Sequence, residues 1–131
     1  MQKKKLFIRL ATLVFFIFLF NYIANSFYWY SSIWYFDMIM HFLGGFWLGL
    51  SFLWLFPVKD ISFLPIFKIL LGVLVIGLGW EVYEIIINES IAQNPFNTLD
   101  SISDIFFDLA GGFLSIVYFF KRIMFRSNDV V

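Results

Sequence analysis

Apolar residues in this chain come in long, nearly unbroken runs, not in the alternation of a half-buried strand or the one-sided stripe of a soluble helix. A helix needs about 20 such residues to cross the hydrocarbon core of a bilayer. Four runs are long enough, at about residues 6–24, 33–56, 64–87 and 102–123. Pro57 stops the second, and Asn88 closes the third. The link at 25–32 is short, and Tyr28, Trp29, Tyr30, Trp34 and Tyr35 around it suit an interfacial aromatic belt. The longest loop, 88–101, is polar and contains Asn94-Pro95. The pattern predicts an all-α, four-helix transmembrane bundle that forms a single integral membrane domain over residues 1–131.

Composition sharpens this reading. The chain is 62% hydrophobic and 24% aromatic, with 20 Phe, more apolar surface than a soluble domain of this length could bury. The lipid bilayer is therefore the first partner, and no stretch reads as a nucleic-acid surface. Cysteine is absent, which excludes disulfides and thiolate chemistry. Residues 1–20 have the outline of a signal peptide but lack a small-residue cleavage site, and are read as a retained first helix.

Charge is zero in sum but unevenly placed. Lys3, Lys4, Lys5, Arg9, Lys59, Lys68, Lys121, Arg122 and Arg126 all fall at one end of the predicted bundle. By the positive-inside rule that end is cytoplasmic, with both termini inside and the links near Ser31 and Gln93 outside. Seven of the nine acids (Asp37, Glu81, Glu84, Glu89, Asp100, Asp104 and Asp108) collect at the opposite, outer end with the only histidine, His41.

Their spacing gives that end a chemistry. Asp37 and His41 are an i, i+4 pair, Glu81 and Glu84 an i, i+3 pair, and Asp100, Asp104 and Asp108 an i, i+4, i+8 stripe. Lipid cannot solvate these groups, so each face turns into the bundle. Gly44, Gly45 and Gly49 follow His41, Gly77 and Gly79 precede Glu81, and Gly111 and Gly112 follow Asp108. Small residues there let the helices approach and the acids converge. Carboxylates of one sign repel, so protons, a cation or a cationic ligand must neutralise them. Carboxylates with one imidazole suit a divalent cation such as Zn, Mn or Mg, with Asp37, His41, Glu81, Glu84, Asp104 and Asp108 as candidate ligands. A bound metal would allow water activation, with Glu81 or Glu84 as the catalytic base. Plainer roles exist for single residues: His41 as interhelical glue, Asp104 as a helix cap, Asp100 and Glu89 as loop charges, and Trp80 and Tyr83 as interface anchors.

The ordered motifs Asp37-x-x-x-His41-Phe-Leu-Gly-Gly45, Trp80-Glu81-Val-Tyr-Glu84 and Asp104-x-x-x-Asp108-x-x-Gly111 lie on successive spans. The set resembles the VanZ-like membrane proteins and the related YjdF-type bacterial inner-membrane proteins. The resemblance covers three of the four spans and implies a multi-pass protein of a bacterial cytoplasmic membrane. The VanZ-like group is associated with glycopeptide (teicoplanin) resistance. Relative to that pattern, Met38 stands where Lys is usual, Glu84 where Gln is, and Asp108 where Asn is, and the arginine before the last motif is absent. Each departure makes the site more acidic, and the Trp-Glu-x-x-Glu form looks closer to the YjdF type.

The expectation is an outward-facing acidic pocket that binds a divalent cation and binds or acts on a lipid-linked or cell-envelope molecule. One alternative is a proton- or cation-coupled transporter component. The inner halves of the spans hold no acids, so such a conduit calls for an oligomer. Another is a non-catalytic accessory or resistance protein.

Overall fold

The computed structural model describes residues 2–88, 90 and 97–124. Glu89, Gln93, Asn94, Pro95 and Arg126 lie outside the described residues. The described chain is helical without strands: α1 (Gln2–Ser26), α2 (Trp29–Ser32), α3 (Phe36–Leu55), α4 (Phe63–Ile87) and α5 (Thr98–Phe119), which runs on into a π-helical turn, Phe120–Met124. α1, α3, α4 and α5 are each long and apolar enough to cross a membrane.

Two starts differ from expectation. The second span begins at Phe36, not near 33, because Tyr28 takes a left-handed φ of 58° and turns the chain into the one-turn α2. The Tyr28 carbonyl accepts from the Ser32 amide at 3.0 Å and from its hydroxyl at 2.9 Å, which offsets part of that backbone strain. The fourth begins at Thr98, not near 102. Asn97 is its N-cap, and its Oδ1 accepts from the Leu99 and Asp100 amides at 3.1 and 3.3 Å. Asp104 is thus two turns inside the helix and is no cap.

α3 and α5 run parallel at the centre, and their glycines explain how closely. A Cβ on Gly45 would collide with the Asp108 carbonyl, and one on Gly111 with the Phe42 carbonyl, so each backbone rests directly on the other. Gly49 does the same against Ser115 and the Gly112 carbonyl. α4 runs antiparallel on this pair: Gly77 faces the Asp108 carboxylate, and Val73 packs on Gly112. Gly44 and Gly79 face open space. α1 is laid on the opposite side of α3, where Trp47 Nε1 donates to the Leu10 carbonyl at 3.0 Å and Trp54 Nε1 to the Lys3 carbonyl at 3.2 Å. Arg9 donates to the Tyr118 hydroxyl at 2.9 Å and lies over its ring.

The core fills the end of the bundle that carries Lys3 and Arg9. Leu6, Leu10, Leu50, Leu53, Ile69, Ile116, Phe119 and Phe120 form one buried cluster there. Phe15, Phe18, Phe63 and Phe106 are among the large side chains exposed on the outside, as lipid-facing helices require.

Candidate functional site

The opposite end of the bundle is polar inside. Asp37 sits in the first turn of α3 and His41 one turn deeper, on the same face. Because α3 and α5 are parallel and in glycine contact, that face meets Asp104 and Asp108 of α5 at the same level. α4 arrives from the other direction and brings Glu81, two turns before its end. His41, Glu81, Asp104 and Asp108 are all buried.

His41 is the hub. Its Nδ1 lies 3.1 Å from Asp108 Oδ1, a hydrogen bond in which the imidazole N–H donates to the carboxylate. Nε2 faces Asp104 Oδ2 at 3.6 Å and Asp37 Oδ1 at 3.7 Å, and in the neutral imidazole with its proton on Nδ1 it carries the lone pair. Both distances are too long for hydrogen bonds. A carboxylate behind an imidazole whose far nitrogen is free is the usual support for a metal-bound histidine.

Among the described residues, two groups of donor atoms lie close enough together to share an ion. One atom from each of His41, Glu81, Glu84 and Asp104 lies within 4.8 Å of the others. One from each of Asp37, Asp100 and Asp104 forms a second such group. Asp104 is 1% exposed, and neither of its carboxylate oxygens has a hydrogen-bond partner; Glu81 Oε1 is likewise buried and unpartnered. Buried carboxylate oxygens without partners are costly unless a proton or a cation neutralises them. An oxygen-rich donor set with one imidazole fits Zn, Mn or Mg. An ion with bonds of about 2.0–2.2 Å holds neighbouring ligands roughly 3–4 Å apart, close to the spacing around Nε2.

The structure brings together all six residues expected at the site. Asp108, expected among the ligands, lies on the far ring nitrogen and orients His41. Glu84 is only half-buried, and its Oε1 accepts from the Trp80 indole N–H at 2.8 Å. Three contributors were not legible as such in the sequence. Asp100, read as a loop charge, lies in the first turn of α5 and joins Asp37 and Asp104. Trp80, read as an interface anchor, holds Glu84, and the i, i+4 spacing was the available signal. Tyr30, outside the spans, donates to Asn21 Oδ1 at 2.6 Å. Its phenol is pushed up to about 12 by burial first, and then by the negative charges of Asp37 and Glu84.

A volume of about 560 Å³ opens at the other end of the bundle, lined by residues including Phe56, Lys59 and Lys68.

No curated protein and no solved structure matches this chain. A family described as "Predicted membrane protein (DUF2238)" matches residues 2–124, a stretch that contains every acid and glycine of the site, and the chain belongs to that family.

Proposed function

We propose that this protein holds a divalent cation within the acidic end of its helix bundle and uses it to bind or act on a lipid-linked or cell-envelope molecule. The observation that carries the reading is Asp104, buried with both oxygens unpartnered opposite the free Nε2 of His41. The ligands are His41, Glu81, Glu84 and Asp104, with Asp37 at the outer edge and Asp108 orienting the imidazole. A bound divalent cation there supplies Lewis acidity and lowers the pKa of a coordinated water. Glu81 has a buried, unpartnered Oε1 and is the better-suited base; Glu84 already accepts from Trp80.

The membrane is that of a bacterial cell, and the acids face outward. The gathering of Lys and Arg at the other end supports this, as does the likeness of the motifs to VanZ-like and YjdF-type proteins. Transport through a single copy is disfavoured by the apolar cluster of Leu6, Leu10, Leu50, Leu53, Ile116 and Phe119, which fills the far end of the bundle and holds no ionisable group.

Elemental analysis of the purified protein, beside His41→Ala and Asp104→Asn, tests the reading. Metal bound by the wild type and lost in both variants is the expected result. A wild type that binds none of Zn, Mn or Mg overturns it.

A further inference from the structure

The donor atoms form two groups, and Asp104 is the only residue common to both. His41, Glu81 and Glu84 complete one; Asp37 and Asp100 complete the other. A carboxylate that belongs to two neighbouring sets of donor residues has two oxygens with which to bridge them. Both Asp104 oxygens are buried and without hydrogen-bond partners.

Charge gives the same answer. Six carboxylates, those of Asp37, Glu81, Glu84, Asp100, Asp104 and Asp108, converge around one imidazole. Among the described residues their only basic partner within ion-pair distance is His41, which faces Asp37, Asp104 and Asp108, and no Lys or Arg pairs with them. One divalent cation offsets two of the six formal charges, and the Asp37–Asp100 side keeps its own repulsion. A second cation on that side removes it.

We propose that the site is dinuclear, with a second divalent cation held by Asp37, Asp100 and Asp104 beside the first, and Asp104 bridging the two. This rests on the cation reading above and extends it. Paired ions bridged by a carboxylate sit about 3.5–4 Å apart and clamp the oxygens of phosphate esters. The substrate class that fits is therefore a phosphorylated lipid, whose negative headgroup could approach these acids only once they are neutralised.

The two positions differ in access, which makes them separable. Asp100 is exposed and Asp37 half-buried, whereas His41, Glu81 and Asp104 are buried. The inner ion is thus the better enclosed, and the outer one the weaker and more exchangeable.

Mn²⁺ alone is the probe, titrated into the full chain in detergent or nanodiscs, with stoichiometry read by equilibrium dialysis and pairing by electron paramagnetic resonance. The wild type is expected to bind about two equivalents and give the spectrum of an exchange-coupled Mn pair, as two-metal sites do. Asp100→Asn is expected to bind about one, with an isolated-ion spectrum. Asp37→Asn repeats the test if the first variant loses helical circular dichroism. A wild type that binds one equivalent, or variants that keep the coupled pair, overturns the dinuclear site and leaves the single-cation reading intact. A wild type that binds none overturns both.

Discussion

His41 and Asp108 share a hydrogen bond of 3.1 Å across the interface of α3 and α5, and its direction decides which imidazole nitrogen is free. With Asp108 on Nδ1, Nε2 is aimed at Asp104 and Asp37. Asp108→Asn keeps the size of the side chain but removes the charge that holds the tautomer. Cation affinity is expected to fall about 10–100-fold, as for other carboxylates behind metal-bound histidines. Titration calorimetry with Mn²⁺ or Zn²⁺ measures it, and unchanged affinity would rule out the orienting role.

Gly45 lets the Asp108 backbone rest on α3, whereas Gly44, one residue earlier, faces open space. Gly45→Ala is expected to destabilise the bundle by about 1–3 kcal/mol, the range for overpacking a close contact. Gly44→Ala is expected to leave stability nearly unchanged. Thermal unfolding in detergent reads the difference. Equal effects from the two would mean that α3 and α5 do not meet at Gly45.

Trp80 donates to Glu84 Oε1 at 2.8 Å, so Glu84 is held while half-buried. Trp80→Phe keeps the ring and removes the donor. A hydrogen bond of this kind contributes about 0.5–1.5 kcal/mol, so affinity for the inner cation should drop roughly 2–10-fold. Equilibrium dialysis of Mn²⁺ decides it. No change would place Glu84 outside the ligand set.

Tyr30 gives a pH signature outside the spans. Its folded pKa is pushed up to about 12, above the ordinary 10.0, by burial and by Asp37 and Glu84. The folded state therefore binds more protons between those two values. The associated stability is fully present below about 10 and is lost as pH rises toward about 12. Tyrosinate absorbance should show a late-titrating phenol that Tyr30→Phe removes. A phenol that ionises at the ordinary pH would contradict the placement of Tyr30 beside the acids.

Orientation is testable because the chain has no cysteine of its own. With the acids outward, Ser31→Cys should react with a membrane-impermeant maleimide in intact cells, and Lys59→Cys only after lysis. The reverse pattern would turn the site toward the cytoplasm.

The spans themselves are a property of the sequence. A backbone in hydrocarbon must satisfy its own hydrogen bonds, so runs such as 64–87 can only be helices, and their charges sort the two ends without reference to any neighbour. Local periodicity likewise put Asp37 with His41, and Glu81 with Glu84, on shared faces. Boundaries were less legible, because the left-handed Tyr28 and the Asn97 cap moved two helix starts within apolar or polar runs that look uniform.

Only the tertiary structure decided what each acid lies beside. His41 and Asp108 are 67 residues apart, and nothing local says that one meets Nδ1 while Asp104 faces Nε2. That assignment follows from the rotation and level of α5 against α3, set where Gly45 and Gly111 admit the opposing backbone. The same packing turned Asp100 from a loop charge into a neighbour of Asp37. Packing geometry distributes chemically equivalent carboxylates among unequal surroundings, and a one-dimensional pattern carries no record of it.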